Sequence, residues 1–421
     1  MTERVGSAIV RAMTLPTFDP AAPEVATDLY GTYARLREVT PIAKLAGEAC
    51  WMLTRHADVH AAWRDKRLGS DFCHRFAADE FTRPEVLEPW RDPRYPHFAA
   101  YARWDLLAME PPDHTKLRRL VSLAFTPRTV ETLRVPARAL VEAALEGAAG
   151  RGQLDVVREL AEPLSLTIIC TLIGVPAEQH AEVLRLSHAV VQMYEPTATD
   201  AQRAEADLAV REFSELVGTL IAARRAAPQE DLLSGLLDAM VDAERLTDAQ
   251  ITSTVMVLLM AGHEASVNAA ANGVAAFAAH PGEWAALRAG KVPVETAIEE
   301  VLRWDPPLQL FRRWVLEAGV TYGGVEIPRG ERIGLCIGSA NRDPRRYEDP
   351  DAFRIARGEP SHLSFGGGIH FCLGAPLARL ELAVLFGALA ERLPTISTLP
   401  GAMRRAGFQF RGYASLPVAL A

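Results

Sequence analysis

The sequence predicts a mainly α-helical protein with minor β-structure, organised as one large domain. Helical periodicity dominates the 421 residues. One predicted helix, from Thr247 to about His280, is apolar on nearly every side, so it must lie inside the protein. No internal repeat and no low-complexity linker divides the chain, and we take residues 1–421 as a single domain. Residues 1–23 are expected to form a flexible N-terminal segment.

The first half of the chain is predicted to be mostly helical. A first amphipathic helix is predicted near residues 28–39, and short strands follow at 41–44 and 50–54. The stretch 68–105 is rich in Pro, Arg and aromatic residues, and so long an irregular stretch is typical of a functional loop. Further helices are predicted at 137–149, 160–173, 177–194 and 200–226.

The longest predicted helix has clear start and stop signals. Thr247 and Gln250 have the spacing of a capping box, and Pro281-Gly282 ends the helix. It would contain roughly 33 residues and be about 50 Å long. Residues 320–328 then predict a hairpin, and residues 373–392 a final helix.

Composition and charge exclude several classes of function. The hydrophobic fraction of 49% and the charged fraction of 23% are ordinary for a globular protein. The net charge of −8 opposes binding to nucleic acid. No apolar run approaches the ~20 residues that span a bilayer, and the N-terminus has no secretory pattern. We therefore expect a cytoplasmic protein with neither nucleic acid nor membrane as a partner.

The cysteines lack the spacing of disulfide or zinc frameworks. They are dispersed and odd in number, which indicates reduced thiols. Four of them are interpreted as packing residues. The five are Cys50, Cys73, Cys170, Cys336 and Cys372.

Cys372 differs from the others because of the run that surrounds it. Three glycines, Gly366 to Gly368, let the backbone pass close to a flat ligand and adopt positive φ. Ala375-Pro376 opens a helix just after the cysteine, and amides at a helix start can stabilise a thiolate. Such a thiolate is suited to axial ligation of haem iron. The alternative is that Cys372 is a small buried packing residue.

The run Phe-Gly-x-Gly-x-His-x-Cys-x-Gly closely resembles the haem-binding loop of the cytochrome P450 family. The resemblance implies the cytochrome P450 fold, haem b as cofactor, and Cys372 as the iron ligand. It also places Phe365 and Gly366 against the haem. Electrons would come indirectly from NAD(P)H.

Haem carries two propionates, so its site needs cationic or hydrogen-bonding side chains at the rim. His114 and Arg118 are spaced i and i+4 on one helical face. Together with Arg313 and His370 they resemble the propionate contacts of bacterial P450s. Arg313 matches the family pattern better than Arg312, although the doubled arginine leaves both open.

Glu300 and Arg303 resemble the family's Glu-x-x-Arg pair, which supports the haem-loop region. The family commonly adds an arginine from a Pro-x-Arg-Phe segment, but Ala352 stands at that position here. The third partner is therefore missing, or it is supplied by Arg354, Arg357 or His362.

The long helix contains a run that resembles the oxygen-activation motif Ala-Gly-x-Glu-Thr. Ala261 and Gly262 are small enough to leave room for a diatomic ligand against the haem. Glu264 is available as a proton donor or relay through water. Ala265 occupies the position of the usual threonine, and Ser266 is displaced by about 100° around the axis. We assign catalytic roles to Glu264 and Ala265, with Ser266 as a secondary relay.

The missing threonine indicates the type of substrate. Some P450s that hydroxylate macrolides are similar in having alanine there, and a substrate hydroxyl is thought to hold the water instead. We therefore expect a hydrophobic, oxygen-bearing small molecule such as a secondary metabolite. The resemblance places apolar residues around it, namely Met256, Leu259, Met260, Leu308, Leu310 and Phe408.

The partners follow from what the chain lacks. No flavin or iron–sulfur domain is recognisable, so a separate ferredoxin and ferredoxin reductase are expected, with O2 as the second substrate. Docking is expected near Lys116, Arg118, Arg119 and Arg128. The main prediction is monooxygenase activity, most often hydroxylation. The alternatives are oxidative coupling, desaturation or peroxide-driven oxidation on the same scaffold, or a haem-binding sensor without turnover.

Overall fold

Helices form most of the structure, a computed structural model that describes residues 15–47, 50–71, 92–122, 125–241, 244–358 and 361–420. Cys73 and a large part of the predicted loop 68–105 lie outside the described residues. Among the helices that the structure describes, none combines the length and apolar character needed to cross a membrane.

The α-helices range from one turn to nine turns. Short 3-10 helices cover Ala177–Gln179, Val191–Tyr194 and Gly368–His370, and a π-helical segment, Val156–Ala161, leads into the eighth α-helix. The α-helices in chain order are α1 (Pro23–Thr27), α2 (Leu29–Val39), α3 (His56–Ala62), α4 (Pro96–Ala102), α5 (Asp113–Ser122), α6 (Pro127–Thr132), α7 (Arg134–Ala149), α8 (Glu162–Ile173), α9 (His180–Val190), α10 (Asp200–Ala226), α11 (Leu232–Asp238), α12 (Asp248–Ala279), α13 (Pro281–Arg288), α14 (Val294–Trp304), α15 (Ile337–Ala340) and α16 (Ala375–Arg392).

The strands are short, and most of them belong to one sheet or to small hairpins. They are β1 (Thr17–Phe18), β2 (Ile42–Leu45), β3 (Cys50–Leu53), β4 (Leu68–Gly69), β5 (Gln153–Asp155), β6 (Met240–Val241), β7 (Glu244–Arg245), β8 (Leu310–Val315), β9 (Val320–Tyr322), β10 (Val325–Ile327), β11 (Arg332–Cys336), β12 (Ser397–Thr398), β13 (Met403–Arg404), β14 (Tyr413–Ser415) and β15 (Pro417–Ala419).

The largest sheet has the strand order β1-β2-β3-β11-β8-β4. β11 lies at its centre, parallel to β3 and antiparallel to β8, so that Ile333 is opposite both Trp51 and Arg313. The other strands form the sheets β10-β9, β12-β15-β5, β13-β14 and β6-β7. β8 matters most for the site, because it carries the two arginines of the sequence motif.

The predicted elements agree closely with this architecture where local signals are strong. Thr247 caps α12 with both hydrogen bonds of a capping box, and α12 ends one residue before His280. The predicted strands and hairpin are present as β2, β3, β9 and β10. The predicted N-terminal segment differs at its end: Thr17 and Phe18 pair with β2, because Phe18 is buried against aromatic residues. Residues 1–14 lie outside the described residues.

α12 is the central element of the main hydrophobic core. Its side chains are buried from Ser253 to Val274, apart from three residues described below. Around it pack α8, α10, α14 and α16. Because α16 follows Cys372 directly, this packing fixes the cysteine loop relative to the middle of α12.

Candidate active site

The Cys372 loop is held close to the end of α3 by its glycines. Gly366 has φ +68° and Gly368 has φ +64°, values that side-chain-bearing residues rarely adopt. A Cβ on Gly366 would lie 3.2 Å from the Trp63 indole ring. The Cys372 backbone N–H donates to the Phe365 carbonyl at 2.9 Å, which closes the loop. The glycines therefore allow both the turn and its close packing on Trp63.

Cationic and N–H groups surround the Cys372 sulfur. Burial raises the pKa of this thiol, while the N–H groups of Gly374 and Ala375 and the charges of Arg118 and Arg379 act to lower it. Backbone N–H groups at a helix start and nearby arginine charges both stabilise a thiolate. A bound metal ion would complete the deprotonation, since coordinating thiols lose their proton.

Four predicted propionate contacts lie together beside this loop. The ring centroids of His114 and His370 are 4.4 Å apart. Burial and the nearby charges of Arg313 and Arg118 lower the pKa of His114 to about 4 and that of His370 to about 2. Burial also lowers the pKa of Arg313 to about 10, so it stays cationic at neutral pH. The site is therefore a buried, positively charged cluster of hydrogen-bond donors.

β8 separates the two arginines of the motif. Arg313 lies over the rings of Trp63 and Phe311, at 4.9 and 4.6 Å from their centroids, and faces the histidine pair. Arg312 instead donates to Gln409 and to the carbonyl of Tyr194. Arg313 rather than Arg312 therefore belongs to the cluster with His114 and His370. The family pattern in the sequence also favours Arg313.

The residues present fit a haem. Both ring nitrogens of buried His114 have no hydrogen-bond partner among the described residues, which indicates a ligand that accepts or donates there. Two carboxylates, as on a haem, would satisfy such a cluster. Cys372 could then hold the iron, while His114, Arg118, Arg313 and His370 could bind the propionates.

α12 presents a face of small residues that is open in an otherwise buried helix. Between Ser253 and Val274 only Ala261, Gly262 and Ala265 are not buried. Their spacing of i, i+1 and i+4 places them on one side of the helix. The predicted oxygen-activation motif thus forms a single accessible surface without a side-chain hydroxyl.

The reason for glycine at position 262 is helix packing, which differs from the sequence interpretation. A Cβ on Gly262 would lie 2.6 Å from Cγ1 of Ile169, a buried residue of α8. The glycine therefore permits the close approach of α8 and α12. The Cβ position of Gly262 is thus occupied by helix packing, while Ala261 and Ala265 remain on the accessible face.

Glu264 is buried beside the open face and is fully paired. Burial would raise the pKa of its carboxyl, but Arg405, His263 and His188 lower it, with a net decrease. Arg405 Nη1 donates to Oε2, and Nη2 lies 3.3 Å from Oε1. His188 Nε2, on α9, is 3.2 Å from Oε1. Since the His188 side chain is 39% exposed, it connects the buried carboxylate to solvent.

Ser266 belongs to a second buried group, on the side of α12 that faces α16. It interacts with Glu381, whose pKa is raised by burial to about 8 despite hydroxyl contacts from Ser165 and Ser266. The Ser165 hydroxyl lies 2.8 Å from Glu381 Oε2 and 3.5 Å from the carbonyl oxygen of Gly262. The Ser266 side chain is therefore on a different side of α12 from Ala265, the position of the family's threonine. This agrees with the predicted displacement of about 100° around the helix axis.

Arg357 is the third member of the Glu300–Arg303 group. Arg303 Nε lies 2.7 Å from Glu300 Oε2, and Arg357 Nε lies 3.2 Å from the same oxygen. Arg354 contributes only its backbone N–H to Glu300, and His362 pairs with Glu299. Of the three alternatives, the structure selects Arg357.

The six residues predicted to surround a substrate lie in different environments. Leu310 and Phe408 pack with Phe18 and Tyr33 in a core cluster between α2 and the large sheet, so for these two the structure shows a packing position. Met256 contacts Ser214 of α10 through sulfur at 3.4 Å. Leu259 and Met260 are buried on α12, and half-buried Leu308 is bridged to Phe410. For these last four residues the pocket assignment stays a prediction.

Several residues of the site could not be found from local sequence patterns. Trp63 lies between the glycine loop and Arg313, and its indole nitrogen has no partner among the described residues. His188 and Arg405 pair with Glu264 from 76 residues upstream and 141 residues downstream. Glu381 has a weak signal, because an acid on an apolar helix face is costly unless it is partnered.

Comparisons with known proteins show the family to which the chain belongs. The cytochrome P450 family model matches residues 85–289 and 293–394. Cytochrome P450 107B1 of Saccharopolyspora erythraea is 38% identical over 412 residues, covering 96% of this chain and 97% of that protein. The 6-deoxyerythronolide B hydroxylase of the same organism is 36% identical over 400 residues, covering 93% and 96% respectively.

The fold is also shared with solved structures. The cytochrome P450 PksS of the Bacillus subtilis bacillaene polyketide synthase matches with a TM-score of 0.85 and 34% identity. The match covers 96% of this chain and 100% of that chain. The chain therefore belongs to the cytochrome P450 family and is a haem-thiolate monooxygenase that uses haem b, O2 and electrons passed from NAD(P)H through redox partners.

Proposed function

We propose that this P450 hydroxylates a hydrophobic small molecule of secondary metabolism that carries its own hydroxyl group next to the site of attack. The observation that carries the proposal is Ala265, which lies on the accessible face of α12 at the position that threonine holds in the family motif. None of the three residues of that face carries a hydroxyl, and Ser266 lies beside Glu381 instead. Similarity to a protein named 6-deoxyerythronolide B hydroxylase supports an oxygen-rich substrate class.

The chain's residues divide into holding and proton-handling groups. The haem supplies the O2-activating chemistry when it is bound, with Cys372 as its iron ligand. Arg313, His114 and His370 would hold it through the propionates. The glycine loop and Phe365 would lie against it on the side of Cys372, and Arg379 covers the Phe365 ring at 4.4 Å.

Two buried carboxylates could handle protons on either side of α12. Glu264 is ionised and reaches solvent through His188, so it could pass protons inward by way of water. Glu381 differs from Glu264, because burial raises its pKa to about 8 and keeps it protonated near neutrality, hydrogen-bonded to Ser165. Ser165 also lies beside the Gly262 carbonyl, which gives the second route access to the α12 backbone.

Electrons are proposed to come from a ferredoxin that binds near the Cys372 loop. Arg118 of α5 donates to the Phe371 carbonyl, which ties that helix to the loop. Lys116 and Arg119 are exposed on the same helix, and Arg128 is exposed on α6. An acidic carrier would be attracted to this basic surface despite the net charge of −8.

The test is the coupling of NAD(P)H consumption to product. Compounds that shift the Soret band of the ferric protein to shorter wavelength are first identified, and each hydroxylated hit is paired with its deoxy analogue. We expect the native enzyme to form most product per NAD(P)H with the hydroxylated member. In Ala265→Thr, the coupling should become independent of the substrate hydroxyl.

Ala222→Thr provides a matched control, because Ala222 is an exposed residue of α10. This variant should keep the native dependence on the hydroxyl. Tight coupling of the native enzyme on a hydrocarbon without any polar group would contradict the proposal. Turnover with H2O2 that equals turnover with ferredoxin, reductase and NAD(P)H would instead favour the peroxide-driven alternative.

A further inference from the structure

A cluster of two histidines and one glutamate lies at the junction of α9 and α12, on residues that no haem contact uses. His188, His263 and Glu264 each bring a potential ligand atom within 4.8 Å of those of the other two. Imidazole nitrogen combined with carboxylate oxygen is a donor set suited to Zn²⁺ and similar transition-metal cations. The cluster therefore has the chemistry of a metal site as well as that of an ion pair.

The two closest atoms already have the separation that zinc requires. Zn–N and Zn–O bonds of about 2.0–2.2 Å in a tetrahedron place two ligand atoms about 3.3 Å apart. His188 Nε2 and Glu264 Oε1 are 3.2 Å apart. The third ligand atom, on buried His263, lies within 4.8 Å of the other two, so the three must draw closer around a cation. His188 can make this adjustment because its side chain is 39% exposed.

His263 has one ring nitrogen without a partner, which is the observation that points to a ligand. The residue is fully buried, and its Nδ1 is 2.8 Å from the Leu259 carbonyl oxygen, to which it can donate. Its Nε2 has no hydrogen-bond partner among the described residues. A histidine that donates one N–H to a backbone carbonyl carries its lone pair on the other nitrogen, as metal-binding histidines do.

The surroundings hold charges of both signs. Arg405 donates to Glu264 Oε2, while its Nη2 shares Oε1 with His188 at the longer distance of 3.3 Å, so the arginine holds the carboxylate as an outer-shell partner would. Glu162 Oε1 is 3.8 Å from His188 Nε2 and adds a further carboxylate. Burial lowers the pKa of both histidines, so they are neutral and able to bind a metal at pH 7.

We propose that His188, His263 and Glu264 form a binding site for one zinc-type divalent cation at the solvent-facing end of the Glu264 pair. The fourth position would be left to water or to Glu162. Occupancy would tie the Glu264 carboxylate to the metal. This last consequence rests on the proposed function, in which Glu264 relays protons.

Equilibrium dialysis of the holoenzyme against Zn²⁺ tests the site directly. The native protein should bind one equivalent of Zn²⁺. In His188→Ala and in His263→Gln the dissociation constant for Zn²⁺ should be at least about tenfold higher. His188→Ala changes a half-exposed residue, so the test does not depend on whether the buried His263→Gln variant folds. His180→Ala, on the same helix, should bind like the native protein. Zinc K-edge absorption should show two imidazole ligands.

Equal Zn²⁺ binding by the native protein and His188→Ala would overturn the proposed site, as would a spectrum without imidazole ligands. Inhibition of turnover is a separate readout. Zn²⁺ should slow product formation by the native enzyme more than by His188→Ala. Specific binding without inhibition would leave the site in place and contradict the proton-relay role of Glu264, so the two proposals can fail independently.

Discussion

Ser165 on α8 and Glu381 on α16 are joined by a 2.8 Å hydrogen bond inside the main core, next to α12. Burial raises the pKa of Glu381 to about 8, so the folded protein keeps this carboxyl protonated near neutrality. The neutral acid connects three helices without a buried charge. Because the pKa differs between the folded and unfolded states, it also makes the free energy of unfolding depend on pH.

We predict that Glu381→Gln becomes progressively more stable than the native protein as pH rises from 4.5 toward 8. The unfolded carboxyl ionises near 4.5, while the folded one holds its proton to about 8, so folding binds a proton in this window and native stability falls with pH. The relative gain should reach about 4 kcal/mol by pH 8, measured from thermal midpoints across the pH range. Glu391→Gln on the exposed side of α16 should show no such gain; a constant difference for Glu381→Gln would contradict the raised pKa.

Arg357 should matter more than its neighbour Arg354. Arg357→Ala removes a buried ion pair to Glu300, although Arg303 remains, and should cost about 2 kcal/mol of unfolding free energy. Arg354→Ala removes only an exposed pair with Asp349 and should cost about 0.5 kcal/mol. Chemical denaturation of the holoproteins compares the two, and equal losses would show that Arg357 is not the third partner.

Gly262→Ala tests the close packing of α8 on α12. The added methyl would meet Ile169, and such overpacking should cost about 1–3 kcal/mol even though alanine favours helix. In an Ile169→Ala background the same change should be stabilising, because the space is then free. Gly218→Ala in α10, where nothing lies within 4 Å of a new Cβ, should stabilise by up to about 1 kcal/mol. Additive effects of the Gly262 and Ile169 changes would refute the contact.

Arg313→Ala should weaken haem retention, while Arg312→Ala should not. Arg313 belongs to the buried cluster with His114 and His370, and losing a charged hydrogen bond to a propionate should speed haem loss about 10- to 100-fold. Arg312 faces Gln409 and Tyr194 instead. Transfer of haem to excess apomyoglobin measures both rates. Faster loss from Arg312→Ala than from Arg313→Ala would reverse the assignment.

Local signals were sufficient for much of the fold. The capping box at Thr247 and the proline at 281 predicted α12 to within one residue at each end, because both act on the backbone beside them. The proline that ends α12 also begins α13, a helix that was not predicted from the sequence. The π-helical turn before α8 has no local signal, since it depends on packing against α12.

The site was predictable where one motif carries it and unpredictable where distant segments meet. The cysteine loop and the α12 motif each lie within a dozen residues. The sequence left three candidates for the third partner of the Glu300–Arg303 pair. The path of the chain after Ala352 decides among them, and it is visible only in the folded structure. The partners of Glu264 come from α9 and from the end of the chain, so only the folded structure brings His188 and Arg405 to it.

Ligation of iron by the Cys372 sulfur is tested by the absorption spectrum of the reduced native protein with carbon monoxide. We expect a Soret maximum at the red-shifted wavelength diagnostic of thiolate ligation, and its loss in Cys372→His. A native protein that binds no haem, or whose carbon monoxide complex lacks the red-shifted maximum, would contradict the account.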